Sequence, residues 1–210
     1  IRAILFITIP SAIGFITMRR EIIRLLFERG EFTPAQTELT AYALFFYSLG
    51  LFAHGAIQIL PRGFYALKDT ITPVKVTSVT VLLSIFLNFI FLKFTNLQHG
   101  GLALSFSLMG VANMLLSLFL LRRKVGGIQG RKIIKTSCQS LLAALGMGLI
   151  IRSFMPVWNH FLIGLGLSRN LFNLFQVMGG VVAGGFSYLL LTATLRMEET
   201  KLLQKMLRRQ

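Results

Sequence analysis

Apolar residues fill six stretches of this chain, Ala3–Thr17, Ala41–Leu60, Thr72–Leu92, Leu102–Leu121, Ile133–Phe154 and Leu171–Leu195, and charged residues gather in the links between them. All but the first approach or exceed the ~20 residues that carry an α-helix across a bilayer. The pattern predicts an all-α membrane protein with six transmembrane helices. The uncharged part of the first stretch is too short to cross alone. Its helix is therefore expected to continue through Met18–Arg29, where Ile22, Ile23, Leu25, Leu26 and Phe27 alternate with charged residues. That half would snorkel at the interface or face a wet cavity.

Breaks between the stretches carry helix-start chemistry. Thr33 before Pro34 fits an N-cap with proline at the first helical position, and Thr72–Pro73 has the same form. Lys93–Gly101 reads as a hairpin with His99, Gly100 and Gly101 at its bend. The clearest boundary follows Leu121, where Arg122, Arg123 and Lys124 precede Gly126, Gly127 and Gly130. It divides a four-helix part, residues 1–125, from a terminal transmembrane pair with a tail, residues 126–210. Gly180 and Gly184 stand in small-xxx-small spacing, a helix-packing device in lipid. In the tail, Leu202, Leu203, Met206 and Leu207 recur at helical spacing among Lys201, Lys205, Arg208 and Arg209, as in an amphipathic helix on an anionic lipid surface.

Composition agrees: 54% hydrophobic and 14% charged residues leave too little polar surface to cover a soluble globule. The net charge of +15 would suggest nucleic acid in a soluble protein. Here the basic residues sit in short links without interleaved stacking aromatics, so they read as a topology signal, with no nucleic-acid partner. If the six spans alternate, one side receives 14 link and tail Lys/Arg and the other 7. The positive-inside rule makes the richer side cytoplasmic, with both ends of the chain on it. The chain opens on Ile inside an apolar segment and reads as a piece of a longer protein. Its single Cys, Cys138, lies within the fifth stretch and reads as a packing residue.

Polar side chains at bilayer depth need a partner or a cavity. His54, Gln58 and Arg62 follow one another at i,i+4 and would share one face of the second helix. Such a stripe either lines a passage for an anionic group, or places Arg62 among the headgroups while His54 and Gln58 bond to neighbouring helices. Ser84 and Asn88 lie one turn apart on the third helix, with Ser105, Ser107 and Asn113 on the fourth. They offer neutral oxygen ligands to a monovalent cation, or they knit helices together. The histidines His54, His99 and His160 fall on separate elements, and no HExxH, CxxC or Walker spacing occurs, so an enzyme is not expected.

Ile22–Thr33 (IIRLLFERGEFT), Pro61–Lys75 (PRGFYALKDTITPVK) and His99–Leu104 (HGGLAL) together resemble the MurJ/MviN lipid II flippases of the MOP exporter superfamily, over about residues 1–125. The resemblance implies a fourteen-helix, two-lobe fold of which this chain supplies about helices nine to fourteen, with the N-terminal lobe as its partner. It implies movement of the undecaprenyl-pyrophosphate-linked peptidoglycan precursor across the bacterial cytoplasmic membrane by alternating access. Na⁺ or H⁺ coupling is the associated expectation, and no other cofactor is implied. Some relatives carry a carboxylate on the eleventh helix where Asn88 stands here. Within the Pro61–Lys75 turn, Asp69 is expected to pair with Arg62 or Lys68, or to cap the next helix. Arg62→Ala is expected to weaken transport more than Lys124→Ala, with Arg62 at a gate and Lys124 in a flexible link. Alternatives are a polysaccharide-lipid flippase or a cation-coupled drug exporter of the same superfamily, or a non-transporting membrane scaffold.

Overall fold

The computed structural model describes residues 1–127, 129–195, 197, 199 and 200. The amphipathic helix expected in the tail lies outside these residues. The elements are α1 (Arg2–Thr17), α2 (Arg19–Phe27), α3 (Pro34–Ile57), α4 (Leu60–Ala66), α5 (Ile71–Phe94), α6 (His99–Val125), α7 (Gly130–Gly164) and α8 (Arg169–Thr194). Four of these, α5 to α8, and the α3–α4 stretch are each long and apolar enough to cross a bilayer; α1 with α2 makes a sixth candidate, bent by 78°.

The chain does continue as helix beyond Met18, over Arg19–Phe27, but the axis turns there. Met18, which caps both helices, is 2% exposed, packed in the core that α1 shares with α7 and α8. Leaving the axis there keeps Met18 in the core and turns the charged α2 aside from it.

Side-chain contacts fix the direction of each helix. His54 lies against Gly110, and Gly63 against Leu121, so α3–α4 and α6 run parallel. Asn88 meets Ser105 and Thr80 meets Asn113, so α5 and α6 are antiparallel. Arg2 meets Thr136 and Ile13 meets Gly148, so α1 and α7 are parallel; α8 returns against both, with Gly184 on Ile151 and Tyr188 on Phe6. The arrangement is six alternating passes. One end, the basic end, holds Arg2, Asp69 and Lys124. The other, the kink end, holds α2, His99 and Arg169.

Proline and glycine chemistry places several joints. Pro10 lies inside α1 and has no N–H for the Phe6 carbonyl. The Tyr188 hydroxyl takes that vacancy, donating to Phe6 O at 2.8 Å and pinning α8 to α1. Thr33 and Gln36 form a reciprocal capping box that starts α3 at Pro34, as the sequence predicts. Thr72 is not the cap of α5. The helix begins at Ile71, and Asp69 Oδ1 accepts from the Thr72 N–H at 3.0 Å. Gly126, at φ +74°, closes α6 in the left-handed conformation that glycine adopts without strain.

The core has two parts. Leu5, Phe6 and Ile9 of α1 pack with Met147, Ile151 and Tyr188 of the terminal pair, while Ala53, Leu60 and Phe64 pack with Met114 and Leu121. The glycine turn after Val125 divides the chain in sequence, and α1 joins the two sides in space.

Candidate functional site

The stripe His54–Gln58–Arg62 crosses a joint between two helices. Pro61 cannot donate to the Ile57 carbonyl, and α3 stops at Ile57 before α4 starts at Leu60. His54 stacks on Phe106 with ring centres 4.2 Å apart and planes at 11°. Its Nε2 is 3.2 Å from the Phe106 carbonyl, which assigns that nitrogen as the donor. His54 therefore joins α3 to α6. Gln58 and Arg62 are exposed at the basic end, and none of the three lines either cavity described below.

Asp69 does cap the following helix, but its charged partner is neither Arg62 nor Lys68. Lys124 Nζ donates to Asp69 Oδ2 and, at 3.3 Å, to Thr72 Oγ1. The turn is anchored by Phe64, fully buried, whose carbonyl accepts from the Asp69 N–H at 3.0 Å. Lys68 adopts a left-handed φ of 57° to complete it. Lys124 and the Thr72 groups hold the Asp69 carboxyl well below the usual carboxylate range. Its ionised form therefore supports the fold at neutral pH, and that support is lost only as strong acid protonates it. Lys124 belongs to α6 rather than to a flexible link, so the tie that it makes to Asp69 and Thr72 bears on stability. Lys124→Ala will lower the thermal stability of the full-length protein more than Arg62→Ala. An equal or opposite order would remove the α5–α6 tie from the account of this turn.

Asn88, one of the two candidate cation ligands on α5, is bonded across to α6. Asn88 Oδ1 accepts from the Ser105 hydroxyl, and Asn113 Nδ2 donates to Thr80 Oγ1 at 2.9 Å while its Oδ1 accepts from Ser117 at 3.3 Å. Ser107 donates to the Phe46 carbonyl at 2.6 Å. These bonds knit α3, α5 and α6 together, and Ser84 sits half-buried one turn from Asn88. Among the described residues no cluster of three His, Cys, Asp or Glu suits a metal ion. Gly180 and Gly184 are close-approach positions. A Cβ on Gly184 would lie 2.8 Å from Ile151 Cδ1, and one on Gly180 would meet the end of Met18.

Two charged hubs escape sequence reasoning because their partners are far apart along the chain. At the kink end Glu28, its side chain 5% exposed, accepts from Thr37 Oγ1 at 2.8 Å, pairs with Arg24 at 3.6 Å and receives Arg169 from the start of α8. The Thr37 hydroxyl, then the Arg24 and Arg169 charges, hold its carboxyl below the ordinary value despite burial. At the basic end Glu199 accepts from Arg2 at 2.7 Å and Thr136 at 3.0 Å. A cavity of about 930 Å³ opens at the α1–α2 bend against α7, with Arg19, Arg20, Arg152 and Asn159 among its lining. On another face of α1 an apolar groove of about 490 Å³ runs along Phe6, Pro10, Gly14, Gly180, Gly184 and Tyr188.

A family model described as lipid II flippase MurJ matches residues 1–172. A probable lipid II flippase MurJ of Vibrio cholerae is 37% identical over 116 residues, 55% of this chain and 22% of the relative. The lipid II flippase MurJ of Thermosipho africanus is 36% identical over 121 residues, 57% of this chain and 25% of the relative. The probable lipid II flippase MurJ of Thermotoga maritima is 33% identical over 205 residues, 98% of this chain and 38% of the relative. The chain thus spans between 22% and 38% of the length of these relatives. With a family match across most of its length and five apolar spans, six with the bent α1–α2 pair, the chain belongs to the MurJ lipid II flippase family.

Proposed function

We propose that this chain is a C-terminal portion of a lipid II flippase, working with an N-terminal lobe to move an undecaprenyl-pyrophosphate-linked peptidoglycan precursor across the bacterial cytoplasmic membrane. The match of the family over residues 1–172 carries this reading. The basic end faces the cytoplasm, as the Lys/Arg excess in its links favours.

Alternating access by rocking lobes needs each lobe to move as a stiff body. The bonds Ser107–Phe46, Asn113–Thr80 and Asn88–Ser105 supply that stiffness across three helices. Lys124–Asp69–Thr72 locks the basic end, and the Glu28 hub ties α2, α3 and α8 at the other. Within this half, His54 is a strut and the charged groups are tethers.

Depletion of the full-length protein is expected to leave precursor synthesis intact while precursor ceases to reach the outer leaflet. Normal outer-leaflet delivery after depletion would overturn the proposal and leave a scaffold role. For orientation, a Cys138→Ser background with a new thiol at Arg169 is expected to react with an impermeant reagent in intact cells, and one at Lys132 is not. The reverse pattern would invert the topology.

A further inference from the structure

The cavity at the bend has two chemistries in one space. Ile13 and Ile16 of α1 and Leu145 and Leu149 of α7 give it an apolar floor. Arg19, Arg20 and Arg152 stand over that floor against the single carboxylate of Glu21, leaving the lining net cationic. Two of the arginines are partly engaged. Arg19 donates to the Ile16 carbonyl at 3.1 Å and lies 5.5 Å from the Phe45 ring centre, and Arg20 donates to Glu38 at 2.8 Å. Arg152 is different: among the described residues nothing accepts from its guanidinium, and it is exposed on α7.

Depth gives these groups a meaning. The helical rise from Lys132 to Arg152 is about 30 Å, one hydrocarbon thickness. With Lys132 among the headgroups at the basic end, Arg152 reaches the opposite boundary, level with the α1–α2 bend. The apolar floor lies one and two turns deeper, among acyl chains. The first turn of α2 also lines the space, bringing the positive end of that helix to it.

We propose that this cavity holds an anionic phospholipid of the leaflet at the kink end, its phosphate against Arg152 with Arg19 and Arg20 nearby, and the top of one acyl chain on Ile13, Leu145 and Leu149. A cationic rim alone would suit any phosphate. The apolar floor at acyl-chain depth selects a lipid. The occupant wedges between α1 and α7 at the bend and supports the 78° angle from outside the core.

The test uses the full-length protein in mild detergent, titrated with short-chain phosphatidylglycerol and read by native mass spectrometry. Arg152→Gln is expected to weaken binding about tenfold, the size of one charge-assisted hydrogen bond, and Arg152→Lys to restore part of it. Leu149→Trp fills the floor from an exposed position, leaves every charge in place, and is expected to weaken binding comparably. Lys132→Gln, at the far boundary, is expected to change nothing. Should Arg152→Gln fail to fold, Leu149→Trp decides. Unchanged phosphatidylglycerol binding in a folded variant of either kind would overturn the proposal. Displacement by inorganic phosphate at equal concentration would reduce the site to an anion site, and stronger displacement by a polyprenyl pyrophosphate would assign it to cargo; both results also overturn it.

Discussion

Gly50→Ala will destabilise the full-length protein by about 2 kcal/mol, as overpacking of a closed interface does. A Cβ at this position would lie 2.6 Å from Ser107 Cα and 2.7 Å from Ser107 Oγ. The first of those atoms is backbone, so relief requires α3 and α6 to separate. Separation stretches the bond from Ser107 to the Phe46 carbonyl and loosens the seat of His54 over Gly110. Gly180→Ala makes the contrast. Its Cβ would come still closer to a neighbour, but that neighbour is the far end of the Met18 side chain, whose unbranched thioether can turn aside more cheaply than backbone can. Thermal unfolding in detergent should therefore rank Gly50→Ala as the more damaging by a clear margin. If Gly180→Ala costs as much, backbone proximity is not what sets tolerance at these crossings.

Glu28→Ala will cost about 2 kcal/mol at neutral pH, the scale of charge-assisted hydrogen bonds lost from a protected carboxylate. It removes the common acceptor of Thr37 and Arg169 and so unties α2 from both α3 and α8. The carboxyl titrates below its ordinary value of 4.5 when folded. Its contribution is thus complete above that pH and drains away as acidity passes down through the lowered value. The stability gap between the parent protein and Glu28→Gln should be constant from neutral pH to about 5 and then narrow on further acidification. A gap that stays constant through that range would exclude Glu28 as the titrating tether.

What the chain disclosed by itself follows the reach of each interaction. The capping box of Thr33 and Gln36 is local, and so is the glycine stop of α6; both are readable from neighbouring residues. The bend at Met18 is not, because no glycine or proline between Phe15 and Arg29 marks it, and its cause is burial of Met18 against α8. The Asp69–Lys124 pair spans 55 positions and the Glu28–Arg169 pair 141. No spacing rule finds such partners. His54, Gln58 and Arg62 look aligned on a helical wheel, yet Pro61 breaks the wheel between them. Their polarity was visible, whereas the geometry that assigns His54 to packing was not.

The sixteen residues of α1 rise only about 24 Å, and α2 then turns sideways instead of climbing further. Against a hydrocarbon layer of about 30 Å, that leaves a deficit of several ångströms. Wherever lipid touches α1, its chains must shorten or the interface at the basic end must dip to meet Arg2, which bonds Thr136 a turn deeper than Lys132. A membrane pinched beside this helix presents a thinner barrier, and under the proposed function a bulky hydrophilic headgroup travelling past it would have less oil to cross.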